Sequence, residues 1–345
     1  MKKYLITGGA GFIGTNFALK LLKRGDQVII LDNLSRRGTA NNLKYIKSQF
    51  PDGLSFVRAD IRTDLAKIQK AVNQVDVVYH LAGQVAVTTS VTNPREDFEV
   101  NALGTLNVLE SIRLSKNKPI LLFASTNKVY GGMETISVIE RPERFAYKNM
   151  PQGIPETQLL DFHSPYGCSK GSADQYVRDY SRIYGLRTVV MRQSCIYGTR
   201  QFGIEDQGWI AWFTIASVLG RPITIYGNGK QVRDALFVDD LFSAWDTVTK
   251  KIKITSGQIY NVGGGAKFSL SLLELVSLLE KNLKKSIPYT FNDWRPGDQP
   301  VYISDISKIE KDTGWKPKVS VEQGVKKLSV WVSENKKDID SILDF

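Results

Sequence analysis

The first half of the chain alternates short β-branched apolar runs with stretches whose apolar residues recur at helical spacing. Residues 4–7, 27–31, 54–57, 75–80 and 119–123 predict strands, and residues 12–23 and 103–115 predict helices between them. Such alternation specifies a parallel sheet with helices on both faces, and sheets of this kind bind ligands outside the carboxyl ends of their strands. Beyond residue 131 the pattern becomes irregular, with a proline-punctuated stretch over 140–155. It resumes with a helix over 165–184 and a strand near 187–191. Further helices are predicted over 209–219, 239–249 and 270–283, separated by loops rich in Gly, Asn and Pro. The pattern describes an α/β protein. A doubly wound parallel sheet occupies residues 1–190, segments near 236–265 return to it, and residues 191–345 form mainly a smaller mixed α/β lobe.

Chemistry enters directly after the first strand. Thr7-Gly8-Gly9-Ala10-Gly11-Phe12-Ile13-Gly14 spaces Gly8, Gly11 and Gly14 three apart and runs straight into a helix. The first glycine permits a tight turn, the second lets a pyrophosphate reach the backbone, and the third lets helix and strand pack closely, with the anion at the helix N-terminus. Asp32 ends the second strand, where a carboxylate accepts hydrogen bonds from a ribose 2′-hydroxyl and repels a 2′-phosphate. A Rossmann-type site for NAD rather than NADP is therefore expected, with Arg36 and Arg37 close by in sequence as the features that moderate that preference. Asp60-Ile61, after the third strand, suits either an adenine contact or a helix cap.

Ser164 and Pro165 have the residue types of an N-cap and a first helical position, so a helix beginning there sets Tyr166 and Lys170, four apart, on one face. A free phenol titrates at about pH 10 and is a poor base at neutrality, whereas a neighbouring lysine ammonium stabilises the phenolate and lowers that pKa. The pair makes a base for an alcohol that is losing hydride. The run from Phe123 to Gly131 brings hydroxyls to the end of a central strand, where Thr126 is placed to hold a substrate oxygen while Tyr166 removes its proton.

Length and composition narrow the class. A chain of 345 residues exceeds the roughly 250 to 300 at which a single core stops growing, which favours two lobes. Hydrophobic content of 42% and charged content of 23% match ordinary globular usage, and no apolar run approaches the roughly 18 residues of a membrane span. The basic start Met1-Lys2-Lys3 leads into an apolar run too short for an export signal, so a cytoplasmic protein without a membrane partner is expected. Two cysteines and two histidines leave little for a disulfide framework or a metal site, and no metal is expected. A net charge of +11 suits nucleic acid or a smaller polyanion. Most lysines lie among Glu and Asp on helix-like stretches, and no RNA-binding aromatic motif or Cys/His finger spacing appears, so no nucleic-acid partner is expected.

The glycine loop, His80-Leu81-Ala82-Gly83, Asn101, the Ser-Thr pair before Val129-Tyr130-Gly131, and Tyr166/Lys170 resemble the extended short-chain dehydrogenase/reductase family of nucleotide-sugar enzymes over nearly the whole chain. Longer blocks at 83–90, 125–131, 161–170, 206–209 and 227–234 resemble its branch that inverts C2 of CDP-hexoses. The resemblance implies a catalytic triad of Thr126, Tyr166 and Lys170, with Asn101 supporting the lysine through an ordered water. It implies NAD contacts from Gly8, Gly11, Phe12, Ile13, Gly14, Asp32, Asn33, Ser35, Arg36, Asp60, Ile61, Leu81, Ala82, Gln84 and Gln193. For the CDP-hexose substrate it implies Ser90, Asn127, Gln207 and Trp209, with Tyr226 beside the base and Arg233 and Arg295 on the diphosphate. Gln193 and Cys195 stand where many members have His and Asn. The family also implies a homodimer or homotetramer, through helices near Leu103 and Tyr176.

Four other readings stay open, one of them a net dehydrogenase, which free NADH accumulating during turnover would favour. A 4-epimerase of the family shares the triad. A 4,6-dehydratase normally adds Asp-Glu straight after the strand-end Thr, where this chain has Asn127-Lys128. A non-catalytic, nucleic-acid-binding member is the most distant. The stretch 132–160 either shapes the sugar site or is a surface excursion.

Overall fold

The computed structural model describes residues 1–343 apart from Asp206, Pro296 and Gly297, so Asp206 of the 206–209 block lies outside the described residues. Two compact units partition the chain. The first comprises Met1–Val129, Phe162–Arg192 and Phe242–Tyr260, and the second Tyr130–Asp161, Gln193–Leu241 and Asn261–Phe345.

The first unit is built on a seven-stranded sheet. In spatial order its strands are Ile259–Val262, Thr188–Gln193, Ile120–Thr126, Val77–His80, Lys3–Thr7, Gln27–Asp32 and Leu54–Arg58. The first strand runs parallel to both neighbours, with Leu5 opposite Ile29 on one side and Val78 on the other. Strand order reverses at this first strand, which is where ligands of doubly wound sheets bind. Both faces are covered, and this is why the strands are apolar almost throughout. On one face Leu5, Ile29, Val78, Leu121 and Val190 pack with Val108, Leu109, Ile112, Ala173 and Val177 from two helices. On the other, Tyr79 meets Phe17 and Trp245 edge to face, at 5.7 and 5.1 Å between ring centroids.

Observed boundaries extend most expected strands by a residue or two, and the fifth runs on to Thr126. The helix expected over 103–115 holds a surprise at its start. Glu99–Leu103 is a π-helical turn, followed by the α-helix Gly104–Leu114, and Asn101 sits inside the bulge. The helix Ser164–Tyr184 ends at Gly185, whose φ of 64° closes it in the left-handed conformation.

The second unit collects short ladders. Val232–Phe237 pairs antiparallel with Ser269–Ser271 and parallel with Val301–Tyr302 and Cys195–Tyr197, while Ile223–Tyr226 pairs parallel with Tyr289–Asn292. Its helices Leu272–Leu283 and Val321–Glu334 both open on capping boxes, Ser271/Glu274 and Ser320/Gln323. The stretch 130–161, expected with the first lobe, belongs to this unit. Its strands Val138–Glu140 and Phe145–Tyr147 form a hairpin held by Phe145 N–H to Lys230 O at 2.8 Å, Arg144 to Ser269 at 2.7 Å and a Lys230–Glu140 ion pair. Those partners are far away in sequence, which is why the stretch looked irregular.

Candidate active site

The glycines act as their spacing requires. Gly8 adopts a φ of 67°, and a methyl group there would stand 2.7 Å from the Ala82 nitrogen. At Gly14 a methyl group would stand 2.6 Å from both Gly8 O and Gly9 Cα, so the helix rests directly on the turn. The first N–H groups of the helix Phe12–Lys23, at Phe12 and Ile13, have no intrahelical acceptor and suit an anion.

Asp32 is buried, and its two carboxylate oxygens accept from Ala10 N at 3.0 Å and Leu34 N at 2.8 Å. Burial raises its pKa against these bonds and the nearby Arg36 charge. Asn33 links Ser35 N to Asp60, at 3.0 and 3.1 Å. Asp60 also accepts from the Arg62 side chain at 3.0 and 2.8 Å, and the guanidinium holds its carboxyl down at about 2. The next helix, Leu65–Val72, starts from Asp64 as its N-cap, so Asp60 does not cap it; Asp60 Oδ1 accepts from Arg62 N at 2.9 Å within its own loop. Ile61 is wedged against Gly104, where a methyl group would come within 2.5 Å of it. Leu81 N and Ala82 N bond to the backbone and hydroxyl of Thr7, at 3.1 and 3.3 Å. These loops and backbone groups lie at the strand-order reversal and fit a dinucleotide. Gln193, in the second unit, has a buried Nε2 with no hydrogen-bond partner.

The three catalytic candidates lie together in the first unit. Tyr166 stands beside Thr126, whose side chain opposes the rise of its pKa, one turn from Lys170 on the same helix. His163, not the expected Ser164, is the N-cap of that helix; Ser164 is its first residue, at a φ of 64° that few side chains adopt, its hydroxyl accepting from Gly167 N at 3.2 Å. Lys170 is buried over the Phe123 ring at 4.2 Å and donates to Ala124 O at 2.5 Å. Burial lowers its pKa to about 7 against the pull of Asp174 and Asp97. Tyr166 departs from the simple Tyr-Lys expectation. Burial raises its pKa to about 12, and the groups that oppose the rise are Thr126 and Arg36 rather than Lys170. The physical reason is that the lysine is itself drawn to the Ala124 carbonyl and is readily deprotonated in the same enclosure.

Around this triad runs a network that the sequence did not announce. Asn101 Oδ1 accepts from Gln84 N at 3.0 Å, and its Nδ2 donates to Asp97 and Ser169, both at 3.1 Å. Ser169, next to Lys170, also donates to Asp97. His80 is enclosed between Thr7 and Thr105, at 2.6 and 3.0 Å. Thr105 donates to Asn101 O at 2.6 Å, so it accepts from His80 Nε2–H, and Nδ1 accepts from Thr7. Burial and the Lys170 charge hold His80 at about 3, which keeps the ring neutral.

The substrate candidates are less uniformly placed. Ser90 is buried and its hydroxyl donates to Val87 O at 2.7 Å within its own short helix, so the structure does not bring it forward as a ligand. Gln84 likewise turns its amide onto Ala86 O at 2.7 Å. Asn127 follows Thr126 on the turn Asn127–Tyr130. In the second unit Arg295 lies over the Tyr226 ring at 3.8 Å. Arg233 donates to Gln299 O at 2.7 Å and pairs with Asp298 at 2.5 Å, which fixes its guanidinium rather than leaving it free. Trp209 packs on Phe213, and Gln207 N bonds to Ile204 O at 2.9 Å. The hairpin reaches the same group of residues through Phe145, which meets Trp294 at 6.4 Å. No group of metal-ligating side chains and no helix long and apolar enough to cross a membrane occurs among the described residues.

A dinucleotide turn and a Tyr-x-x-x-Lys helix on one parallel sheet place the chain in the extended short-chain dehydrogenase/reductase class. Within it the chain belongs to the GDP-mannose 4,6 dehydratase family, whose profile matches residues 5–328. It is 45% identical over 338 residues to CDP-paratose 2-epimerase of Salmonella typhi, covering 96% of this chain and 99% of that protein. Among solved structures, dTDP-glucose 4,6-dehydratase of Streptomyces venezuelae with NAD and TYD bound superposes with a TM-score of 0.84 at 28% identity, covering 99% of each chain. UDP-glucose 4-epimerase of Thermotoga maritima with UDP-glucose gives 0.82 at 29%, over 97% of this chain and 99% of that one.

Proposed function

We propose that the protein is an NAD-dependent epimerase that inverts C2 of a CDP-hexose, CDP-paratose or a close analogue. The observation that carries an oxidising epimerase is Tyr166 beside Thr126, one turn from a buried lysine on the same helix. Likeness at 45% identity to CDP-paratose 2-epimerase supports C2 and the cytidine nucleotide. Asn127-Lys128, in place of an acidic pair, disfavours dehydration.

NAD, when bound, accepts hydride from the sugar carbon and returns it. Thr126 holds the hydroxyl of that carbon, and Tyr166 takes its proton as the C–H bond breaks. Lys170, one turn away and able to lose or hold a proton near neutrality, relays the proton to and from the phenol, whose ionised form Thr126 and Arg36 favour. The same three groups work in reverse when the opposite face of the 2-keto sugar is reduced. The nucleotide must stay held while the sugar turns; Arg295 is the group suited to its diphosphate, and Arg233 joins it only by giving up its bonds to Asp298 and Gln299 O. A self-associating, cytoplasmic enzyme is part of the proposal. Tyr176, Ile183 and Tyr184 on the helix Ser164–Tyr184 and Leu103 beside the next helix are exposed apolar residues suited to a second copy.

Proton NMR of the products from CDP-paratose and a panel of CDP-, UDP- and GDP-hexoses tests the reading. Inversion at C2 is expected. Inversion only at C4, or loss of water, refutes it.

A further inference from the structure

Beneath Tyr166 and Lys170 lies a buried ion pair that takes no proton in the transfer, although its carboxylate also favours the Lys170 ammonium. Tyr166, Lys170 and Asp174 are spaced four apart and form one stripe of the helix Ser164–Tyr184. Asp174 is 0% exposed and Arg192, on the strand Thr188–Gln193, is 2% exposed. The guanidinium grips the carboxylate as a fork, with Nε to Oδ2 and Nη2 to Oδ1 both at 2.9 Å. Ser125, the residue before Thr126, donates to Oδ2 at 2.7 Å, and Gln175 donates to Oδ1 at 2.8 Å. One carboxylate thus ties the helix that carries the base to the strand end that carries Thr126.

An enclosed ion pair is an inefficient way to stabilise a fold. Desolvation of both charges offsets most of their attraction, and apolar residues of similar volume hold a core as well or better. Four directed donors supply geometry instead. Apolar packing tolerates a small slip of helix along strand, whereas a carboxylate bonded to both elements does not. We infer that Asp174 is a positioning residue of the reaction, acting through Ser125 and Arg192 to hold Thr126 in register with Tyr166 and Lys170. The inference rests on the proposed roles of those three residues.

The paired variant Asp174→Leu/Arg192→Met removes both charges together and leaves neither unpaired. It is expected to fold with a thermal midpoint at or above that of the wild type and to keep its NAD content and its KM for the CDP-hexose. Its kcat should fall by about tenfold or more, because misplacing reacting groups by a fraction of an ångström is costly. Ser125→Ala, which leaves the ion pair intact and removes only the strand tether, should lower kcat in the same direction without changing KM. A role confined to folding predicts the reverse split, a lower midpoint with kcat retained. Wild-type kcat, within about threefold, in a folded paired variant or in Ser125→Ala overturns the inference. If the paired variant does not fold, Ser125→Ala decides alone. Tyr166→Phe measured alongside separates the two layers: if it is inactive while the other variants are fully active, only the positioning role falls. If it is fully active, the triad falls and the positioning role with it.

Discussion

Lys170→Met should make the protein more stable at neutral pH while stopping turnover. The ammonium is buried, and its pKa stands at about 7 against an ordinary 10.5. Each pKa unit is worth about 1.4 kcal/mol, so the charged form weakens the fold by an upper limit of about 5 kcal/mol. Below about pH 7 the folded and unfolded chains both carry the proton, and the whole penalty is present. Between about 7 and 10.5 the folded chain has released it and the unfolded chain has not, so wild-type stability rises with pH, and above 10.5 the penalty is gone. Methionine keeps the aliphatic stem over Phe123 and forfeits the bond to Ala124 O, a charge-assisted bond worth about 1.5 to 3 kcal/mol. The balance is a gain of at most about 2 to 3.5 kcal/mol at or below pH 7, a few degrees of midpoint for a chain of this size. Thermal denaturation followed by circular dichroism at several pH values between about 6 and 10 measures it. A variant less stable than wild type at neutral pH, or an advantage that does not shrink as pH rises, would show that the buried ammonium is not the liability described.

Other variants bear on separate parts of the site. Tyr166→Phe should cost about 10²- to 10⁴-fold in kcat with nucleotide retained on the protein, measured by NMR turnover and chromatography of released cofactor; wild-type turnover would remove Tyr166 as the base. Gly14→Ala drives a methyl group to 2.6 Å from Gly8 O and should weaken NAD binding, read by calorimetry. Unaltered affinity would mean the helix can recede from the turn. Arg295→Ala removes the cation over Tyr226 and should raise KM for the CDP-hexose with little change in kcat, and an unchanged KM would place the guanidinium outside the substrate site. Light scattering should find a dimer or tetramer that Tyr184→Glu weakens, and a monomeric wild type would refute self-association.

What the sequence made legible and what it hid divide along a physical line. The Gly8 turn, Asp32 at a strand end and the Tyr166/Lys170 stripe are local: each depends on a backbone period or a turn that neighbouring residues dictate. The strands were readable for the same reason, since burial on both faces leaves an unbroken apolar run. The hidden parts are contacts between distant segments. Asn101 reaches Ser169 across 68 positions, Ser125 reaches Asp174 across 49, and His80 reaches Thr7 across 73. No local pattern encodes such pairings, because a serine bonded to a buried carboxylate looks like any other serine until the sheet brings them together. The Tyr-Lys expectation failed in detail on the same ground. Spacing correctly set the two side chains on one face, but proton affinity depends on what encloses them, and the enclosure comes from Phe123, Ala124 and Asp97. Protonation in this site is therefore a property of the assembled sheet, and a short motif can locate the reacting groups without specifying which of them holds the proton.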